Sequence, residues 1–132
     1  MWMRHWLGSL LLLLITPVAW GASVDVIVNP DQAQVTLTPE LLRAIFSMRL
    51  RDWPSGEPIH VFVLPDSAEA SNQFCRDRLG TYPYVMRTVW DRMVFTGTGL
   101  APIVVRSEEE MRARVRATPG AIGYVTHQGD HV

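Results

Sequence analysis

The chain has 132 residues, with 12 basic and 13 acidic side chains and a net charge of −1. Near-balanced charge, with no basic stripe carrying interleaved aromatics, argues against nucleic acid as a partner. The single cysteine, Cys75, excludes an internal disulfide framework.

Taken in order, the chain opens with Arg4 ahead of an apolar run from Trp6 to Trp20, followed by Gly21-Ala22. A cation, a short apolar segment and small residues form the pattern of a secretory signal peptide over residues 1–21, with Ala19 and Gly21 at −3 and −1. An uncleaved membrane anchor is the alternative, but the run is shorter than the ~18–20 residues that span a bilayer and is interrupted by Thr16-Pro17. No cysteine lies near the cleavage point for lipid attachment. Residues 22–132 are then enough for one α/β domain with one core, expected to fold without a disulfide and to lie in the periplasm.

Val24 to Val28 alternates apolar side chains and stops at Asn29-Pro30, so it predicts a first strand. Thr38-Pro39-Glu40 reads as N-cap, first helical position and dipole-matched charge. Leu41, Leu42, Ile45 and Phe46 gather on one helix face, and the helix is expected to stop before Trp53-Pro54-Ser55-Gly56. His60 to Leu64 is nearly all apolar and predicts a strand buried on both faces. Ser67 to Leu79 is a helix with Ser71, Phe74, Cys75 and Leu79 on one stripe, closed by Gly80 as a left-handed cap. The Cys75 thiol is expected to be buried and structural.

A third helix starts near Pro83, with Val85, Met86, Val89, Trp90 and Met93 on one side. Trp90 is expected in the core. Thr96-Gly97-Thr98-Gly99 lacks the Lys-Ser/Thr ending of a P-loop and reads as a turn. Ile103 to Val105 predicts a short strand. Ser107 and Glu110 form a capping box for a helix that runs to about Ala117, and Thr118-Pro119-Gly120 breaks it. Ala121 to Val125 is the last strand, in which Gly123 allows close approach of another backbone.

Leu41-x-x-Ile45-Phe46, Trp53 and Gly56-x-Pro58-Ile59 together resemble a segment of the phosphate-binding proteins of bacterial ABC transporters, which are class II periplasmic binding proteins. Val26-Ile27-Val28-Asn29-Pro30, Val94-Phe95-Thr96-Gly97 and Thr118 to Val125 look similar in the same order. The resemblance implies one lobe of a periplasmic-binding-protein-like fold, a sheet of about four strands covered by about four helices. It also implies phosphate or another oxyanion as ligand, held by hydroxyls, an arginine and the free amides of a helix N-terminus.

In this chain the corresponding loop is Leu64-Pro65-Asp66-Ser67-Ala68-Glu69-Ala70-Ser71. Ser67 and Ser71 are the candidate ligand-binding residues, although Ser67 also fits a plain N-cap. The family's Ser-Gly-Thr loop with a preceding arginine is absent, and Asp66 and Glu69 bring negative charge. The matching segments belong to a single lobe, and half a cleft leaves an anion hydrated unless a second copy or another protein supplies the other wall. No catalytic order of Ser, His and Asp or of Cys and His is present, so no enzyme is expected, nor any cofactor. His127, Asp130 and His131 lie in a polar C-terminal tail and are not assigned to a metal. The expected function is phosphate or oxyanion binding connected with ABC-type uptake. The alternative is a non-catalytic module that has lost its anion site and docks to a membrane or envelope protein, or to a second copy of itself.

Overall fold

The computed structural model describes residues 24–97 and 101–127. The leader, the end of the Thr96–Gly99 loop, Asp130 and His131 lie outside the described residues. Four strands, β1 (Val24–Val28), β2 (His60–Val63), β3 (Ile103–Val104) and β4 (Ala121–Thr126), form one sheet in the order β1-β4-β2-β3. β4 runs parallel to β2 and antiparallel to β1, and β2 runs parallel to β3. The helices are α1 (Pro39–Phe46), α2 (Glu69–Phe74), α3 (Pro83–Phe95) and α4 (Glu108–Ala117). The fold is a mixed α/β lobe, as the alternation of periods predicts. No described helix is long and apolar enough to cross a membrane.

Successive residues of β4 face opposite sides of the sheet. Tyr124 stacks on Phe74 of α2, with ring centroids 4.1 Å apart and planes at 8°, and Phe46 of α1 lies 4.6 Å from Phe74. Gly123 faces α4, where an added Cβ would stand 2.4 Å from Met111 Sδ and 3.1 Å from Val115 Cγ2. That glycine lets helix and strand approach closely. Phe62, Val63, Ile122 and Tyr124 are buried, as a strand pair covered on both faces requires.

The helix signals hold in type and differ at the ends. Thr38 Oγ1 accepts from the Leu41 amide at 3.1 Å, and Pro39 opens α1. α1 stops at Phe46, well before Trp53, because Met48 takes a left-handed φ of 65° and the amides of Arg49 and Leu50 both turn back to the Ala44 carbonyl. Met48 is buried, so its side chain offsets the cost of that conformation. α2 begins at Glu69 behind Ala68, so Ser67 is not the N-cap. Its last turn, Cys75–Leu79, is wound as a π-helix and ends on left-handed Gly80, as expected. Cys75 is buried and unpaired. In the capping box, Ser107 Oγ accepts from the Glu110 amide at 3.1 Å, but the Glu110 carboxylate accepts from Arg106, one residue before the cap, at 2.9 Å.

Segments distant in sequence are tied together at Gly120. Its carbonyl accepts from Trp53 Nε1 at 2.9 Å and from the His60 amide at 3.1 Å, and its amide donates to Gln32 Oε1 at 3.2 Å. Asn29 closes the other side: Nδ2 lies 3.1, 3.0 and 2.9 Å from the carbonyls of Val115, Arg116 and Thr118, satisfying the open end of α4.

Candidate functional site

The candidate site forms where β2 hands over to α2. Tyr124 and Ser71 set the course of the chain there. The Leu64 amide donates to Tyr124 Oη at 3.0 Å, and the Tyr124 and Ser71 hydroxyls are 2.8 Å apart. Ser71 Oγ also reaches the carbonyls of Pro65 at 2.9 Å and Leu64 at 3.2 Å. Ser71 is 3% exposed and faces the core. Burial pushes the Tyr124 phenol up to about 12, so it stays protonated and can donate along this chain.

Outside that network lies an open cavity of about 490 Å³. Asp66, Ser67, Glu69 and Asn72 form one side, and Tyr84 and Arg87 of α3 the other. Ser67 is exposed and lines the cavity; Ser71 does not. The two serines predicted as a pair are therefore separated by the turn that joins them. The cavity's cation is Arg87, which donates from Nε to Asp66 Oδ2 at 3.0 Å and from Nη2 to Oδ1 at 3.1 Å. This two-pronged geometry suits a carboxylate. The bonds to Asp66 raise the Arg87 pKa still further, and the guanidinium also lies 5.4 Å from the centre of the Trp90 ring.

Burial, followed by the nearby Asp66 charge, raises the Cys75 thiol to about 11, so it is not a nucleophile at neutral pH. Tyr82 and Tyr84 flank Pro83 and stack in the open, with centroids 5.7 Å apart. Among the described residues no group of three or more His, Cys, Asp or Glu could hold a metal ion. His127, from the predicted polar tail, meets Asp25 at 2.8 Å on the surface.

Arg87 and the tyrosine pair are not evident from the helix pattern. Arg87 precedes Asp91 by one turn and lies 4.0 Å from it in an exposed pair, so its spacing along the helix gives no sign of the contact with Asp66. The available signal was the pair of tyrosines on either side of the proline that opens a helix, off its apolar stripe.

No protein-family model and no curated protein matches the chain. Among solved structures, PstS from Borrelia burgdorferi aligns with a TM-score of 0.55 and 18% identity, over 79% of this chain and 40% of its own. The chain has the fold of one lobe of a periplasmic binding protein. An ABC-type phosphate transport receptor from Vibrio cholerae is also similar, with a TM-score of 0.49 and 16% identity, over 79% of this chain and 40% of its own. The lobe thus spans about 40% of the length of these structures. Within the lobe, the loop between β2 and α2 meets an arginine from α3, Arg87, which is held by that loop's own Asp66.

Proposed function

We propose that this protein is an exported, non-enzymatic binding-protein lobe whose oxyanion site is filled from within, and that it serves an envelope uptake system by docking to another protein. The observation that carries this reading is the Asp66–Arg87 pair. Asp66 holds the Nε–Nη2 edge of Arg87 and offsets its charge, so a phosphate or sulfate ion meets only the remaining N–H donors of a guanidinium that is already neutralised. Asp66 competes intramolecularly, at an effective concentration of roughly millimolar or above. Glu69 adds a second negative charge at the cavity wall. An open half-site leaves the incoming ion hydrated, so little free energy remains to displace the carboxylate.

Calorimetry on the mature chain tests this. The wild type should give no heat with millimolar phosphate or sulfate. Asp66→Asn, which removes the carboxylate charge from Arg87, should give measurable heat. Wild-type binding below about 1 mM that disappears in Ser67→Ala overturns the reading. A second reading, oxyanion capture for uptake, is favoured by the exposed Ser67 hydroxyl beside Arg87 and by the sequence resemblance to phosphate-binding proteins; the same titration decides between the two. Export predicts a mature N-terminus at Ala22 by mass spectrometry, and an intact Met1 in the membrane fraction refutes cleavage.

A further inference from the structure

The other flank of α3 carries a second concavity, of about 430 Å³, that shares no lining residue with the Asp66–Arg87 cavity. Its floor is apolar: Leu79 comes from the π-wound turn, and Met86, Val89 and Met93 come from α3. Three guanidinium groups border it, Arg43 and Arg49 from the end of α1 and beyond, and Arg92 from the last turn of α3. None of the described residues lining it is acidic. Arg43 Nε donates to the Leu79 carbonyl at 3.2 Å, and Arg49 Nε donates to Ser47 Oγ at 2.9 Å. Each bond fixes a fork against the wall with one N–H and leaves its terminal nitrogens for an incoming anion.

We propose that this groove binds a small amphiphilic anion, a medium-chain carboxylate, with its tail on the Met86–Val89–Met93 floor and its head among the three arginines. Charge complementarity selects the head: three cations with no acid among them sit on a chain whose net charge is −1. The volume and the concave apolar floor fit a small ligand. A membrane surface calls for apolar side chains that project, whereas the four of the floor line a hollow; Val94 and Phe95, which project at the end of α3, are not part of its lining. Methionines adapt to a flexible tail without a fixed shape.

The test is calorimetry on the mature chain from Ala22, which carries the whole described core from Val24 to Val125. Hexanoate, octanoate, decanoate and uncharged decanol are titrated below their aggregation limits. Binding should tighten by up to about fourfold per added methylene. Decanol should bind about tenfold more weakly than decanoate, and Arg49→Glu with Arg92→Glu should weaken decanoate by about tenfold. Val89→Trp, which fills the floor, should abolish binding, while Arg106→Glu should leave it unchanged. Absence of heat with millimolar decanoate, equal binding of decanol, or no dependence on chain length overturns the proposal. Two further outcomes also overturn it: co-sedimentation with anionic lipid vesicles without binding of free decanoate, which assigns the face to a membrane, and a dimer that Val89→Trp dissociates, which assigns it to a second copy.

Discussion

Replacing Ser71 with alanine separates a structural hydroxyl from a ligand-binding one. In the native lobe the Leu64 amide donates to Tyr124, and the Tyr124 and Ser71 hydroxyls pass the series on to the carbonyls of Pro65 and Leu64. Truncation leaves the Tyr124 hydroxyl, only 2% of whose residue surface is exposed, without its serine partner. A buried polar group left unpaired costs about 1–3 kcal/mol, so Ser71→Ala should destabilise the lobe by about 2 kcal/mol. For a domain near this size that lowers Tm by roughly 8 °C. Urea titrations of Ser71→Ala, Tyr124→Phe and the double variant should show a coupling of about 1 kcal/mol, because the two hydroxyls meet directly. Anion titrations should be insensitive to Ser71→Ala. A loss under about 0.5 kcal/mol, or additive single effects, would refute the chain of hydrogen bonds as a stabilising unit.

Gly120→Ala should cost at least about 2–3 kcal/mol, since φ is +77° and the new Cβ would lie 2.1 Å from the Pro58 carbonyl oxygen; thermal melts check this. Asn29→Ala should cost about 2 kcal/mol by removing the donor to the end of α4, and amide exchange should show fraying at Arg114 to Thr118. Cys75 should resist a disulfide reagent at pH 8 in the native protein and react in urea. Cys75 rises from 9.0 to about 11 and Tyr124 from 10.0 to about 12 on folding, so the folded state holds these protons more tightly. Their contribution is complete below pH 9 and is lost as pH climbs through 11 and 12. The urea midpoint should therefore decline above pH 9, and Tyr124→Phe should flatten the upper part of that decline.

Local chemistry made much of the fold legible. Proline at the first helical position, the Ser107 cap and the left-handed Gly80 each act within a few residues, so the pattern reveals them. α1 ended early because Met48, a side chain with no special turn propensity, took a left-handed conformation under the pull of its own burial. Gly123 advertised the close approach of a backbone, but the atoms that fill the space are the side chains of Met111 and Val115. The candidate site was less legible. Whether Ser71 faces a cavity or Tyr124 depends on a partner more than fifty residues away. Arg87 meets Asp66 only through the packing of α3 beside the β2–α2 loop, a relation that no periodicity carries. Local pattern likewise says nothing of the arginines around the second groove, which α1 and α3 bring together by their termini.

β4 bonds to both β1 and β2, and α4 and α2 close over its two sides, yet among the described strands it comes last in the chain. A chain that stops short of Ala121 therefore lacks both the strand that joins β1 to β2 and the ring that stacks on Phe74, and loses the middle of its sheet instead of an edge.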